Sequence, residues 1–389
     1  MDRPAPPSID WDALRRYRLG RVQSVLADAE VDLAVLASPV SLQYAVDFDE
    51  YQLFQSRIPT FTLLVPASGR PAICGAYRWK SAFDVERLPP QNLSHFDAGL
   101  DMADAARKFA NLIRSRIPGR ARIAVERLDS SVVQALMQVG FDVVDAGGLM
   151  EKARSIKSAD EVILIRNAIR VANLAIDTMR AAVQPGVTEN ELFAVLNQVN
   201  TAHGGRWLDG RMLASGHRTN PWLQESTDKP VAPGELIAFD TDMIGPYGYF
   251  ADVSRTFLFG DKPTGAQKDV YARAFEEVHY NMDLVRPGIT FKELSDRAFR
   301  QSDEFVAHRY PCLSHGAGMS DEWPYIRYRQ DWDALGYHGV VEEGMVLCLE
   351  SFVGSDQGGE GVKLEQQVLV TEDGVEVLSD YPFEDCLLQ

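Results

Sequence analysis

Cysteine is scarce in this chain: Cys74, Cys312, Cys348 and Cys386 are widely scattered, and no C-x-x-C pair occurs. A zinc ribbon or a thioredoxin-type redox site is therefore excluded, which leaves free buried thiols in a reducing compartment. Basic residues are also short, with 39 Lys and Arg against 56 Asp and Glu, a formal charge of −17. Such a balance repels a phosphate backbone, so nucleic acid is excluded as a partner. Nowhere does a run approach the ~18 uncharged apolar residues needed to cross a bilayer. The first ten residues, Met1 to Asp10, are Pro-rich and acidic instead of basic and then apolar, which points to a cytoplasmic protein without a secretory leader. No internal repeat is visible.

The remaining composition, 46% hydrophobic and 24% charged over 389 residues, is that of a soluble globular chain with room for two domains. In the first half, helical and strand-like segments alternate. An amphipathic stretch from Trp11 to about Ala29 precedes the apolar run Val31 to Ala37. Strands are expected at Phe61–Val65, Pro71–Cys74, Ala121–Val125 and Phe141–Asp145, with helices at Met102–Ile117 and Ser130–Val139. Residues 1–150 thus read as one α/β domain. A second domain, residues 151–389, opens with Ser158-Ala-Asp-Glu161, a capping box ahead of a helix over Val162–Ala182. Its later part is β-rich, with strands at Leu236–Met243, Gly248–Phe259, Met345–Phe352 and Gln366–Val370. Helices are expected between them at Ala266–Val285 and Phe291–Val306, giving an α+β domain with an antiparallel sheet.

The informative oddity is acid in apolar strands. Asp240 and Asp242 stand two apart in Ala238-Phe-Asp-Thr-Asp-Met-Ile-Gly245, on one face if that segment is extended. Asp252 follows ten residues after Asp242 across a Gly-Pro-Tyr-Gly turn, so a hairpin would return it beside them. Glu350 lies in Val346-Leu-Cys-Leu-Glu350-Ser-Phe, and Glu365 in Val362-Lys-Leu-Glu365-Gln-Gln-Val. Carboxylates brought together in apolar surroundings are costly unless a cation neutralises them. His315 sits among small residues in Cys312-Leu-Ser-His-Gly-Ala-Gly-Met319, where an ion can approach. Singly, each has a bland alternative: a solvated D-x-D pair, a structural histidine, an edge-strand charge. Together the six supply oxygen and nitrogen for two divalent ions about 3.5 Å apart, of which Fe, Mn, Co, Ni and Zn all suit the donor set.

In that order, these residues resemble the signature of the pita-bread superfamily of methionine aminopeptidases, prolidases, aminopeptidase P and creatinase. The resemblance implies a creatinase-like N-terminal α/β domain ahead of a pita-bread catalytic domain. It also implies Asp242, Asp252, His315, Glu350 and Glu365 as ligands, with Glu365 bridging and Asp240 as an additional carboxylate. The superfamily's peptidases use two further histidines, which this sequence lacks: Glu225 stands near the first position, and Glu322 occupies the second, seven residues after His315. Those imidazoles stabilise the tetrahedral intermediate and protonate the leaving amine, so amide hydrolysis is disfavoured.

A narrower resemblance, to the dimethylsulfoniopropionate lyases of the superfamily, runs through Glu151-Lys-Ala-Arg-Ser155, Leu213-Ala-Ser-Gly216, Arg218-Thr-Asn-Pro-Trp222, Asp321-Glu-Trp-Pro324, Gly344-Met-Val-Leu-Cys348 and Tyr381-Pro-Phe383. It implies counterparts for all six metal positions and puts Tyr310 and Asp321 beside the substrate. Asp321 is then the candidate base for abstracting a proton α to a carboxylate, and Tyr310 the residue that orients base or substrate. A sulfonium is held by aromatic faces, for which Trp222, Trp323, Tyr325 and Trp332 are candidates; His217 and Glu225 are further substrate-side candidates. The expectation is a metal-dependent lyase on a small or aromatic substrate, acting as a homodimer. A prolidase-like hydrolase using Glu225 and Glu322 as proton donors, and a non-catalytic binding protein, are the rivals.

Overall fold

A computed structural model describes residues 8–81 and 83–389. The Pro-rich residues 1–7, on which the reading of the leader mostly rests, lie outside the described residues. The chain forms two compact units, Asp10–Arg154 and Ser155–Gln389, the latter including Ser8 and Ile9.

In the first unit, Asp10 opens the helix Trp11–Asp28 by accepting the N–H groups of Asp12 and Ala13. The fully buried strand Leu33–Leu36 is flanked by Arg122–Val125 in parallel and Thr62–Pro66 in antiparallel pairing. Asp142–Asp145, Ala72–Cys74 and Glu86–Leu88 complete a mixed six-stranded sheet. Phe109 and Ile113 of the helix Ala103–Arg116 and Leu136 of Ser130–Gln138 share one buried cluster with Leu33, Val35 and Ile123. The helix Pro39–Val46 and strand Glu86–Leu88 are additions to the sequence-based expectation.

Helices in the second unit begin where their caps predict. Ser158 and Glu161 cap Ala159–Ala181 reciprocally, and Thr264 and Gln267 do the same for Gly265–Leu284. An unanticipated helix, Glu189–Ala202, starts on the same device at Thr188 and Glu191. The single helix expected over Phe291–Val306 is instead two, Phe291–Arg297 and Asp303–Val306. Ala298 turns extended, and the N–H of Phe299 is taken by Asn281 Oδ1 at 2.8 Å in place of a helical carbonyl.

A five-stranded antiparallel sheet runs Asp321–Ile326, Ser314–Ala317, Val346–Val353, Val362–Thr371, Gly374–Val377. The long strands expected over Leu236–Met243 and Gly248–Phe259 both break. Leu236–Phe239 pairs with Arg255–Leu258 in one three-stranded sheet, whereas Met243–Ile244 pairs with Phe250–Ala251 in another. Residues 240–242 and 252–254 are the crossing points. Asp242 adopts φ 37°, a left-handed conformation that Asp tolerates better than most residues. Thr241 bridges the gap, its Oγ1 donating to Ala251 O at 2.8 Å and accepting from Val253 N at 2.9 Å. The three aspartates thus occupy a corner where backbone pairing is interrupted.

Ser351 alternates with Glu350 along its strand, facing the helix Gly265–Leu284. There its Oγ donates to Glu277 Oε2 at 2.6 Å, and Gln301 Nε2 donates to the same oxygen at 3.0 Å. Burial drives the Glu277 carboxyl up from 4.5 to about 7, against those hydrogen bonds. The folded state thus holds its proton more tightly than the unfolded chain, and stability declines as pH rises from 4.5 towards 7. The loss approaches about 3 kcal/mol. Glu277→Gln should therefore melt higher than the parent at pH 8, and the gap should close at pH near 4.5. Melting curves at both pH values check this; a variant that melts lower at both would show that the charge carries no such penalty.

Candidate metal centre

Strand register assembles the cluster. Glu350 and Glu365 are direct partners on adjacent strands, and His315 pairs with Cys348, two residues before Glu350. Like charges directly opposite are destabilising without compensation. His315 Nε2 lies 3.1 Å from Glu350 Oε1 and 3.5 Å from Asp252 Oδ2. Its Nδ1 is 3.0 Å from the carbonyl of Gly316, which can only accept. Nδ1 therefore carries a proton and donates to that carbonyl, and without a metal Nε2 carries one too and donates to Glu350 Oε1; a bound cation would take the place of the Nε2 proton. Ligand atoms of Asp252, His315, Cys348 and Glu365 lie within 4.8 Å of one another, as do those of Asp240, Asp242 and Asp252.

Lys363, wholly buried, is the cluster's internal cation. Its Nζ stands 2.6 Å from Glu350 Oε2, 3.1 Å from Asp240 Oδ2 and 3.7 Å from Glu365 Oε2, and donates to Ser254 Oγ at 2.5 Å. Ser254 Oγ in turn donates to Glu365 Oε2 at 3.0 Å. Lys363 goes unnoticed in the sequence, although alternation puts it on the Glu365 face of an apolar strand and marks it as a buried base.

Lys363 and a protonated His315 are two positive charges against five carboxylates. Burial raises the Asp240 carboxyl, but adjacent Lys363 brings it below the usual carboxylate range. Burial and neighbouring acids push Asp242 and Asp252 well above that range, and Glu365 up to about 8. Burial lowers the basicity of His315, yet its hydrogen bond to Glu350 and the charge of Asp321 carry it up to about 10. Asp240 Oδ1, Asp252 Oδ1 and Glu365 Oε1 are buried without a hydrogen-bond partner. Orphaned oxygens in two groups of closely spaced ligand atoms, one of which includes the His315 imidazole, and acids short of positive charge fit divalent cations.

The other candidates are distributed as follows. Asp321 is exposed at the rim, its Oδ1 3.4 Å from His315 Nδ1. Half-buried Tyr310 has its ring 4.5 Å from Lys363 Nζ. Trp222 is buried, stacks on Phe352 with 6.1 Å between centroids, and clusters with Tyr310 and Met212. Among the described residues, its indole N–H has no hydrogen-bond partner. Half-buried Trp323 meets Phe291 edge-on beside a hydrophobic core, with 5.6 Å between centroids. Arg327 covers Tyr325, and Lys292 covers Trp332. His217 is exposed on the single turn Gly216–Thr219. Glu225 is exposed and paired with Arg211 at 2.7 Å, whereas Glu322 is buried, bonded to Lys157 at 3.0 Å and to the N–H of Met319.

Residues 163–372 match the model of metallopeptidase family M24. The dimethylsulfoniopropionate lyase DddP of Roseovarius nubinhibens is 36% identical over 398 residues, covering 97% of this chain and 88% of that protein. DddP of Roseobacter denitrificans is 34% identical with the same coverage. Among solved structures, an Xaa-Pro dipeptidase from Bacillus anthracis superposes with TM-score 0.75 at 22% identity, over 94% of this chain and 98% of that one. Among the described residues, no helix is long and apolar enough to cross a membrane.

Proposed function

This chain belongs to metallopeptidase family M24 and has its pita-bread fold, and from that premise we propose that it catalyses β-elimination instead of amide hydrolysis. The observation that supports the reading is the pairing of Glu225, near the first of the two positions that the resemblance gives to peptidase imidazoles, and of Glu322, at the second. Glu322 is locked in a buried pair with Lys157, which keeps it from shuttling a proton to a leaving amine, and Glu225 forms an exposed pair with Arg211. Asp321 is an exposed carboxylate at the rim of the cluster itself, its Oδ1 3.4 Å from His315 Nδ1. The identity to the two lyases supports the same choice.

In the proposed reaction, Asp240, Asp242, Asp252, His315, Glu350 and Glu365 would hold two divalent ions. What such ions supply when bound is stabilisation of the negative charge that develops on a substrate carboxylate. Asp321 removes the proton from the carbon α to that carboxylate. The freed electron pair forms the Cα–Cβ double bond, and the β-substituent departs with its bonding pair. Dimethylsulfoniopropionate would thus give acrylate and neutral dimethyl sulfide, and the exposure of Asp321 lets its proton pass to solvent. Tyr310 orients the substrate, and Trp222 supplies the aromatic face for a sulfonium.

The test uses purified protein loaded with Fe(II), Mn(II), Co(II), Ni(II) or Zn(II), given dimethylsulfoniopropionate and Xaa-Pro dipeptides in parallel. Headspace dimethyl sulfide is expected, and none should form in Asp242→Ala. Free proline in its place, lost in the same variant, would establish the hydrolase. Metal-loaded protein releasing neither product would discard this sulfonium as substrate.

A further inference from the structure

We propose that Cys348 is itself a ligand, so that one metal position is a nitrogen, sulfur and oxygen site while the other is built from oxygen alone. The inference rests on the metal reading above and deepens it by separating the two positions chemically.

Cys348 is wholly buried on the strand Val346–Val353, two residues before Glu350 and on the same face. Across one strand interface its partner is His315; across the other it is Gln367, two residues beyond Glu365. The thiol therefore stands between the imidazole and the Glu365 carboxylate. All four ligand atoms of Asp252, His315, Cys348 and Glu365 fall within 4.8 Å of one another. With bonds of about 2.0–2.3 Å, donors on opposite sides of an ion stand up to roughly 4.6 Å apart, so four atoms in that span can share one cation after small adjustments. A second observation points the same way. Asp252 and Glu365, both buried, each keep one oxygen without a hydrogen-bond partner, as expected of side chains whose acceptor is reserved for a ligand.

The oxygen-only group is Asp240, Asp242 and Asp252. Asp252 belongs to both groups, the placement a bridging carboxylate would need. Thiolate sulfur favours softer ions, so the Cys348 position should select Zn(II), Co(II) or Fe(II), whereas three carboxylates accept harder Mn(II). Coordination uses the thiolate, and the thiol proton leaves to buffer on loading. Cys312, also buried, is in neither group and serves as a control.

Cobalt reports the bond directly. Metal-free full-length protein titrated with cobalt(II) chloride should develop a near-ultraviolet sulfur-to-cobalt charge-transfer band. That band should be absent in Cys348→Ser and in Cys348→Thr and retained in Cys312→Ser. Preference for Zn(II) over Mn(II) should fall at least ~10-fold in Cys348→Ser. Cobalt bound with visible d–d absorption but no charge-transfer band in the unaltered chain would overturn this inference and leave the metal reading standing. Persistence of the band in both Cys348 variants would also overturn it. Failure to bind cobalt at all would remove both.

Discussion

Asp321→Asn should lower turnover of the proposed lyase reaction by about 10²–10⁴-fold, the range for losing a general base, while bound metal stays at the parent level. Asparagine keeps the size of the side chain but cannot accept a proton. The ligand groups do not depend on it, because Asp321 is outside both. Nor does the orientation of His315 depend on it alone: Nδ1 keeps the Gly316 carbonyl at 3.0 Å when the carboxylate at 3.4 Å becomes an amide. That contact is also the rival explanation, since a carboxylate behind a metal-binding histidine commonly raises its basicity and fixes its ring. Elemental analysis beside steady-state kinetics separates the two. Lost turnover with intact metal makes Asp321 the base; lost metal makes it a positioning residue for His315; unchanged turnover assigns the base to another group.

Sequence made the acids legible because buried charge is conspicuous against an apolar run. Asp252 could be placed beside Asp242 because a turn between two short strands fixes which residues return together, and the pairs Met243–Ala251 and Ile244–Phe250 realise that hairpin. The D-x-D segment itself is not a strand, since Thr241 satisfies the backbone through its hydroxyl and Asp242 turns left-handed; neither act leaves a mark in hydrophobic periodicity. Side-chain parity within a strand can be counted, but which residue stands opposite on the next strand cannot. The direct Glu350–Glu365 pairing and the His315–Cys348 pairing emerge only with the register. The aromatic candidates show the same limit. Trp222 clusters with Tyr310, whereas Trp323, Tyr325 and Trp332 contact Phe291, Arg327 and Lys292 respectively. Tryptophan content alone does not distinguish a core ring from a substrate face.

Lys363→Met should be the most destabilising change at the centre in metal-free protein. Methionine matches the length of the stem but, among the described residues, removes the only lysine paired with Asp240, Glu350 and Glu365, all of which are buried. Removing one partner of a buried ion pair costs about 3–5 kcal/mol, because the remaining charge keeps its desolvation penalty without the compensating attraction. In a domain of this size that is a fall in Tm of about 10 °C, measured in EDTA. Divalent ions bring the compensation back from outside. The gain in Tm on loading Zn(II) or Co(II) should therefore be larger in the variant than in the parent, since ions that bind only the folded state stabilise it by mass action. Lys363→Arg, which keeps the charge, should recover part of the metal-free loss, limited by the room for a guanidinium in a site with no exposure. Equal melting of Lys363→Met and parent in EDTA would show instead that the carboxylates relieve their own repulsion by taking up protons, leaving Lys363 no share in holding the cluster together.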